Sequence, residues 1–137
     1  MKVFGCPSNA IITPHPGEAA MLLDCSVEEL QKNRLEAAKE LYKRYNCLII
    51  LKGYQTIVFD GEAYQCTNGG PALSTAGTGD VLAGLIGSFL AQGLSKIDAA
   101  RFSVAIHGAA GDKFSKTKGV RGLTATKLIK IINEEML

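Results

Sequence analysis

The chain has 137 residues, of which 47% are hydrophobic and 20% are charged, and its formal net charge is +2. This composition is typical of one folded domain and argues against a disordered protein. The small net charge excludes the strongly basic surface that binds nucleic acids or anionic membranes, so we expect neither as a partner. There is no apolar run of membrane-spanning length and no signal-peptide pattern, so we expect a cytoplasmic protein.

The four cysteines lie far apart in the sequence, at positions 6, 25, 47 and 66. None has the C-x-x-C spacing that zinc sites use, and neither His15 nor His107 is close to a cysteine in the sequence. We therefore expect reduced thiols and no zinc site.

The first third of the chain alternates between strand and helix patterns. Residues 11–13 form a short β-branched run that is stopped by prolines, which predicts a strand that ends in a loop. A short helix is expected over residues 18–23. Ser26 and Glu29 have the spacing of a capping box, so a second helix is expected to begin there and to run to about Tyr45.

A buried strand and a hairpin follow. Residues 47–51 are continuously apolar, as in a strand that is covered on both faces. Asp60-Gly61 lies between two β-rich segments, residues 56–59 and 62–66, and this dipeptide is a strong signal for a hairpin. The glycines and the proline of residues 67–78 predict a loop.

The second half predicts three helices. The first covers residues 79–91, and the second begins at Ser95 and continues through Ala109. Residues 113–122 are basic and contain glycine, which favours an exposed loop, and Thr124 is expected to cap the last helix. Central strands with helices on both faces make an α/β sandwich.

Gly77-Thr78-Gly79-Asp80 marks the junction between a loop and a helix. A helix N-terminus offers free N–H donors and the positive end of the helix dipole, and glycines let these donors approach a phosphate closely. Asp80 could accept a proton from a substrate hydroxyl there, or it could simply cap the helix. The segment is not a P-loop, since no Gly-Lys-Ser/Thr follows, and its spacing does not fit the dinucleotide fingerprint.

Two further segments come directly after predicted strands, where ligands bind in open α/β sheets. Residues 13–18 (TPHPGE) present His15 and Glu18 on a loop that two prolines stiffen, although His15 could also be a structural loop histidine. Residues 52–56 (KGYQT) place Lys52 where it could face a nucleotide phosphate, although lysine is also ordinary at a strand end.

Together these segments resemble the ribokinase-like superfamily, and within it the ADP- or ATP-dependent NAD(P)H-hydrate dehydratases, also known as the YjeF C-terminal domain family. Residues 13–18 match the substrate-side motif of that family, and residues 52–56 match its nucleotide-binding K-G-x-x-T. Residues 71–82 (PALSTAGTGDVL) match its signature loop and helix, and residues 107–112 (HGAAGD) lie where the family has similar sequence. The likeness extends from Ile11 onward.

The family repairs hydrated NADH or NADPH, a dead-end metabolite, by phosphorylating the hydrate hydroxyl and eliminating phosphate. The resemblance implies that Asp80 binds the hydrate and is the base that activates its hydroxyl. It further implies that the backbone N–H groups of Gly77, Thr78 and Gly79 stabilise the charge on the transferring phosphoryl group.

The remaining roles follow from the same resemblance. The cofactors are expected to be ADP or ATP and Mg²⁺. His15 would line the hydrate site, and Glu18 would organise Mg²⁺ through water. The nucleotide would be held by Lys52, Gly53, Tyr54, Gln55, Thr56 and Gly79.

The resemblance also predicts the fold, a three-layer ribokinase-like α/β sandwich in one domain over residues 1–137. Family domains are about twice as long, so we expect an N-terminally truncated chain that corresponds to the C-terminal half of the usual domain. Such a chain would expose a sheet edge, and we therefore expect a homo-oligomer or a partner that supplies the missing half.

Two other functions are consistent with the sequence. One is a ribokinase-like small-molecule kinase for a sugar or a vitamin alcohol, since the chemistry of the loop is shared across the superfamily. The other is an inactive fragment that binds nucleotide and turns nothing over.

Overall fold

The structure is a computed structural model that describes residues 6–137 of the chain. The chain divides into two compact units, Met1–Gln65 and Cys66–Leu137. The expected single domain over residues 1–137 stays a prediction.

In the described part of the first unit, a four-stranded sheet packs against helices. The strands are β1 (Ile11–Ile12), β2 (Leu48–Leu51), β3 (Ile57–Phe59) and β4 (Ala63–Gln65), and the helices are α1 (Pro16–Leu23), α2 (Val27–Lys32) and α3 (Arg34–Tyr45). The strand order is β1-β2-β3-β4, with β1 and β2 parallel and the other pairs antiparallel. The predicted hairpin is therefore confirmed, with Phe59 opposite Ala63 beside its turn.

The core of this unit lies between α3 and the sheet. Ala38 and Leu41 of α3 and Ile49 and Leu51 of β2 are fully buried in one apolar cluster. All four residues of β2 are buried, as expected for a strand that is covered on both faces.

The long helix predicted from Ser26 to Tyr45 is interrupted. The capping box of Ser26 and Glu29 is present, but α2 ends at Lys32 and α3 begins at Arg34. Asn33 separates them with φ −148° and ψ 74°, and its side chain accepts a hydrogen bond from the Glu36 N–H. Asn33 therefore serves as a second N-cap, which is why the chain turns there.

The second unit contains helices α4 (Thr78–Ala91), α5 (Lys96–Lys118) and α6 (Ala125–Ile131). A 3₁₀ turn covers Pro71–Leu73 within the predicted loop, and a π-helical turn, Ile132–Met136, follows α6. The core joins α5 and α6 through six buried residues, which are Ala72, Ala110, Phe114, Leu123, Leu128 and Ile132.

The exposed loop predicted over residues 113–122 is partly wrong, because α5 continues to Lys118. Phe114 is only 4% exposed, and its burial in the core holds the last turns of the helix. Gly119, the C-cap residue, ends the helix with φ +76° and ψ −172°, a conformation that favours glycine. Within residues 6–137, no helix is both long enough and apolar enough to cross a membrane.

Candidate active site

The predicted phosphate loop lies at the N-terminus of α4. Gly77 is the N-cap residue, with φ +88°, and a Cβ there would lie 3.1 Å from the Cβ of Ala125, so glycine fits on both counts. Thr78, Gly79 and Asp80 form the first turn, where N–H groups have no partner within the helix. The Asp80 side chain is exposed. This arrangement can bind an anion and hold a carboxylate beside it.

The Thr78 side chain shapes the loop from within. Thr78 is 4% exposed, and its hydroxyl oxygen lies 2.6 Å from the Leu73 carbonyl oxygen and 2.8 Å from that of Thr75. The Thr78 N–H also donates to the Thr75 carbonyl, over a longer 3.3 Å. Residues 73–78 are thus held in a tight turn by hydrogen bonds from Thr78 just before the helix begins. The role of the Thr78 N–H toward a phosphoryl group stays a prediction.

Helix α5 supports the same loop from outside, through residues that the sequence analysis left without a role. The His107 Nε2 lies 2.8 Å from the Thr78 carbonyl oxygen. A carbonyl can only accept, so Nε2 carries the proton. One turn further on, the Asp112 carboxylate accepts a hydrogen bond of 3.1 Å from the Gly69 N–H.

Two glycines on the same side of α5 let the loop approach closely. A Cβ on Gly108 would lie 2.7 Å from the Asn68 carbonyl oxygen, and one on Gly111 would lie 2.6 Å from the Leu73 side chain. Both distances are too short for real atoms. Residues 107–112 therefore act as a platform for residues 68–78, which we call the platform below.

A groove of about 470 Å³ opens beside Asp80, between α4 and α6. Its wall is mainly apolar, with Val81 and Leu85 from α4 and Ile129 from α6. Among the described residues that line it, Asp80 is the one with an acidic side chain. A concave apolar surface with few polar groups is the usual form of a small-molecule site.

In the first unit, His15 and Glu18 form one hydrogen-bonded pair at the N-terminus of α1. The Glu18 N–H donates to His15 Nδ1 over 3.1 Å, and the His15 N–H donates to the Glu18 carboxylate over 2.8 Å. His15 Nε2 lies 3.5 Å from the other Glu18 oxygen. His15 is therefore an N-cap residue, and because 56% of its side chain is exposed, the ring remains accessible to a ligand.

The Glu18 carboxylate fits the predicted outer-sphere role toward Mg²⁺. Its side chain is 53% exposed, so its oxygens can accept hydrogen bonds from metal-bound water in addition to the capping bond. Mg²⁺ keeps several waters and uses few protein ligands when a substrate phosphate is also bound. Among the described residues, no cluster of three or more His, Cys, Asp or Glu side chains could hold a metal alone.

The predicted nucleotide loop, Lys52–Thr56, follows β2 and lies beside the loop that follows β1. The Lys52 N–H donates to the Pro14 carbonyl over 2.9 Å, and the two strands are parallel, so both loops leave the same edge of the sheet. Gly53 has φ +134°, and the Thr56 hydroxyl donates to its carbonyl over 3.2 Å. The structure thus brings the two predicted segments of the first unit together.

Arg34, which lies outside the predicted site residues, also contacts this loop. Its Nη2 donates to the carbonyls of Leu51 and Lys52, over 3.1 and 3.2 Å. Backbone carbonyls carry no residue identity, so no sequence motif marks such a contact. For His107 and Asp112, the HGAAGD likeness was the available signal.

Known structures identify the fold class. A solved structure of a ribokinase-like superfamily protein from Enterococcus faecalis shares this fold, with a TM-score of 0.81 at 31% sequence identity. A crystal structure of the ADP/ATP-dependent NAD(P)H-hydrate dehydratase from Bacillus subtilis, co-crystallised with ATP and Mg²⁺, matches with a TM-score of 0.86 at 35% sequence identity. This match covers 91% of our chain and 46% of that one. The predicted ribokinase-like α/β class is thus confirmed.

Sequence comparison identifies the family. A family model described as NAD(P)H-hydrate dehydratase matches residues 2–134. The bifunctional NAD(P)H-hydrate repair enzyme of Vibrio cholerae is 45% identical over 125 residues, which are 90% of this chain. The ADP-dependent (S)-NAD(P)H-hydrate dehydratase of Neisseria meningitidis is 42% identical over 127 residues, again 90% of this chain. The chain belongs to the NAD(P)H-hydrate dehydratase family.

The relatives are considerably longer. The match spans 25% of the Vibrio protein and 43% of the Neisseria protein, so the chain spans less than half the length of these relatives.

Proposed function

We propose that this chain carries the nucleotide-dependent dehydration of (S)-NAD(P)H hydrate, which restores NADH or NADPH. The observation that supports this most directly is the exposed Asp80 in the first turn of α4, behind the positive-φ Gly77. A base and an anion site thereby lie within one helical turn, as the transfer of a phosphoryl group to a hydroxyl requires.

In the proposed reaction, the Asp80 carboxylate accepts the proton of the hydrate hydroxyl as that oxygen attacks the terminal phosphorus of the nucleotide. A new O–P bond forms, and the bond to the nucleotide leaving group breaks, which yields AMP from ADP or ADP from ATP. The N–H groups of Gly77, Thr78 and Gly79 stabilise the transferring charge. The phosphate then leaves with the C–O electron pair, and a proton leaves the neighbouring ring carbon, so the double bond is restored.

The first unit would hold the nucleotide and the metal. Lys52 would supply a positive charge to the phosphates, and Gly53, Tyr54, Gln55 and Thr56 would contact the nucleotide. Gly79 is also proposed as a nucleotide-binding residue. His15 lines the hydrate site. Glu18 would hold Mg²⁺ through water, and the metal, when bound, neutralises charge on the phosphates. The names of the Bacillus and Neisseria relatives support ADP and ATP as donors and Mg²⁺ as the metal.

The complete activity is proposed to need more than the matched segment, because the relatives extend well beyond it. The additional residues would come from a second copy of this chain or from the segment that the relatives have in addition. Strand β1 lies at one edge of the described sheet and has two half-buried isoleucines, which supports pairing there. Light scattering should find self-association at high concentration, and a monodisperse monomer would contradict the proposal of a homo-oligomer.

The assay for the function is the loss of hydrate absorbance in the presence of Mg²⁺ with either ADP or ATP. We expect the wild-type chain, assembled with the residues that complete its site, to consume the hydrate. Asp80→Asn in the same assembly should reduce the rate by about 10²–10⁴-fold, because the base is removed while the shape is kept. ADP binding by the variant should be retained.

Asp98→Asn is the matched control, because Asp98 is also an exposed carboxylate in the first turn of a helix, α5. It should leave the rate close to that of the wild type. Equal rates for wild type and Asp80→Asn would contradict the mechanism. Phosphorylation of sugars or vitamin alcohols without hydrate repair would identify a kinase instead, and ADP binding without any turnover would identify a binding module.

A further inference from the structure

Arg34, the first residue of α3, is joined to the point where β2 becomes the predicted nucleotide loop. Its Nη2 donates to the carbonyl of Leu51, the last strand residue, over 3.1 Å, and to that of Lys52 over 3.2 Å. Its Nη1 donates to the Gln31 side-chain carbonyl over 2.9 Å. The guanidinium thus fixes the direction in which the backbone leaves the sheet.

The same guanidinium packs against Gly53. A Cβ on Gly53 would lie 2.9 Å from Nη1, 3.2 Å from Nη2 and 3.3 Å from Cζ of Arg34. Gly53 also has φ +134°, which side chains rarely adopt. The glycine of the K-G-x-x-T segment is therefore needed both for the turn and for contact with Arg34.

Among the described residues, no carboxylate forms an ion pair with Arg34. Its hydrogen-bond acceptors are all uncharged, and none of the ion pairs between described residues includes it. Its Nε is buried and has no hydrogen-bond partner. Burial lowers the pKa of the Arg34 guanidinium, although an arginine remains charged at any ordinary pH.

Arg44, at the other end of α3, shows the contrast. It also donates to a backbone carbonyl, that of Leu22, over 2.9 Å. However, its nitrogens lie 3.8 Å from the Asp24 carboxylate and 3.4 Å from that of Glu40. Arg44 has the partners of a structural arginine, whereas Arg34 is a partly buried cation with no carboxylate partner in the part of the chain that the structure describes. Such a cation is costly unless an anion is bound nearby.

We propose that Arg34 is a positioning residue for the nucleotide loop, and that its unneutralised charge favours binding of the anionic nucleotide. It holds the Leu51 and Lys52 carbonyls and packs on Gly53, so that Lys52 and the loop N–H groups face the phosphates. This inference rests on the proposed function, in which Lys52–Thr56 bind ADP or ATP.

The test is calorimetric titration of the full chain with ADP at fixed salt. We expect Arg34→Lys to weaken ADP binding by about tenfold, because an ammonium keeps the charge but loses the fork of donors. Arg34→Met should weaken it by about 10- to 100-fold. In the hydrate assay, the KM for nucleotide should rise while the KM for hydrate stays within about twofold, a split that general destabilisation does not produce.

Arg44→Met is the matched control and should bind ADP within about twofold of the wild type. If Arg34→Met does not fold, as judged by its circular dichroism melt, Arg34→Lys decides the question. If Arg34→Lys and any folded Arg34→Met bind ADP with wild-type affinity, this inference is wrong but the proposed function stands. The same holds if Arg44→Met loses as much ADP affinity as the Arg34 variants. A wild-type chain that binds neither ADP nor ATP would overturn the proposed function and this inference with it.

Discussion

The two predicted ligand loops are held in place by different physical means. The Lys52–Thr56 loop is fixed by one long side chain, since Arg34 donates to two carbonyls and packs on one glycine. The loop before α4 is fixed by the platform, which combines two hydrogen bonds with two close glycine contacts, one to the Asn68 backbone and one to the Leu73 side chain. The Lys52–Thr56 loop should therefore be sensitive to the charge of the side chain at position 34. The loop before α4 should be sensitive to the volume of the side chains at positions 108 and 111.

This difference follows from what surrounds each loop. The carbonyl oxygens at a strand end need hydrogen-bond donors from another part of the chain. A long side chain can supply them, and a guanidinium offers several donors at once. A loop that lies against a helix can be held by packing alone, provided that the helix has no side chain at the contact. The platform meets this condition with Gly108 and Gly111.

The largest effect on the second loop is expected from Gly108→Ala. The new Cβ would meet the Asn68 carbonyl oxygen at 2.7 Å and its carbon at 2.9 Å, and these backbone atoms cannot rotate away. We expect a loss of about 1–3 kcal/mol in the free energy of unfolding, measured by urea denaturation.

Gly87→Ala is the control for this substitution, because a Cβ on that α4 glycine would meet nothing within 4 Å. It should stabilise the protein by about 0.5–1 kcal/mol, since alanine is the better helix former. If both variants change stability in the same direction, close packing on the platform does not hold the loop.

A smaller effect is expected from His107→Phe, which keeps a ring but removes the donor to the Thr78 carbonyl. Loss of one hydrogen bond of about 0.5–1.5 kcal/mol should lower kcat in the hydrate assay by up to about tenfold. The KM values should change little, because the bond orients the loop and does not contact the ligand.

His107→Gln offers an amide N–H near the position of Nε2 and should recover part of this loss. Equal kcat values for His107→Phe and the wild type would show that the loop does not need the hydrogen bond from His107.

The smallest effect concerns Cys66, which is 2% exposed at the start of the second loop. Burial raises the pKa of the Cys66 thiol above its ordinary value, and the nearby Asp112 carboxylate raises it further. The unfolded thiol therefore ionises first, and the stability that this shift provides is present below about pH 8.5 and is lost as the pH rises through the folded pKa.

We expect the free energy of unfolding to fall more steeply between pH 8 and 10 for the wild type than for Cys66→Ala. The reason is that the unfolded wild type loses the Cys66 proton at a lower pH than the folded protein does. Urea denaturation at several pH values measures both slopes. Parallel curves would show that the burial of this thiol is not linked to stability.

Local signals in the sequence predicted much of the fold. The capping pairs at Ser26 and Ser95, the Asp60-Gly61 turn and the apolar run of β2 each act within a few residues, and each was confirmed. The break at Asn33 was missed, although Asn33 and Glu36 repeat the spacing of an N-cap pair. The end of α5 was predicted too early, because the burial of Phe114 depends on tertiary contacts.

The candidate site was less predictable than the fold. Residues with a motif, such as Asp80 and His15, could be proposed from the sequence, and their roles stay predictions. Arg34 and His107 could not, because their partners are backbone carbonyls at sequence separations of 17, 18 and 29 residues. Only the folded chain shows which carbonyl a distant donor reaches.

The buried Thr78 hydroxyl has a further consequence for an enzyme of the proposed kind. A protein that activates an alcohol beside a phosphoryl donor must keep its own alcohols from becoming acceptors. The Thr78 hydroxyl is two residues from Asp80, but its oxygen lies within hydrogen-bond distance of the Leu73 and Thr75 carbonyls, and the residue is only 4% exposed. The contacts that close the loop therefore also protect it against self-phosphorylation, and mass spectrometry after turnover should find Thr78 unmodified.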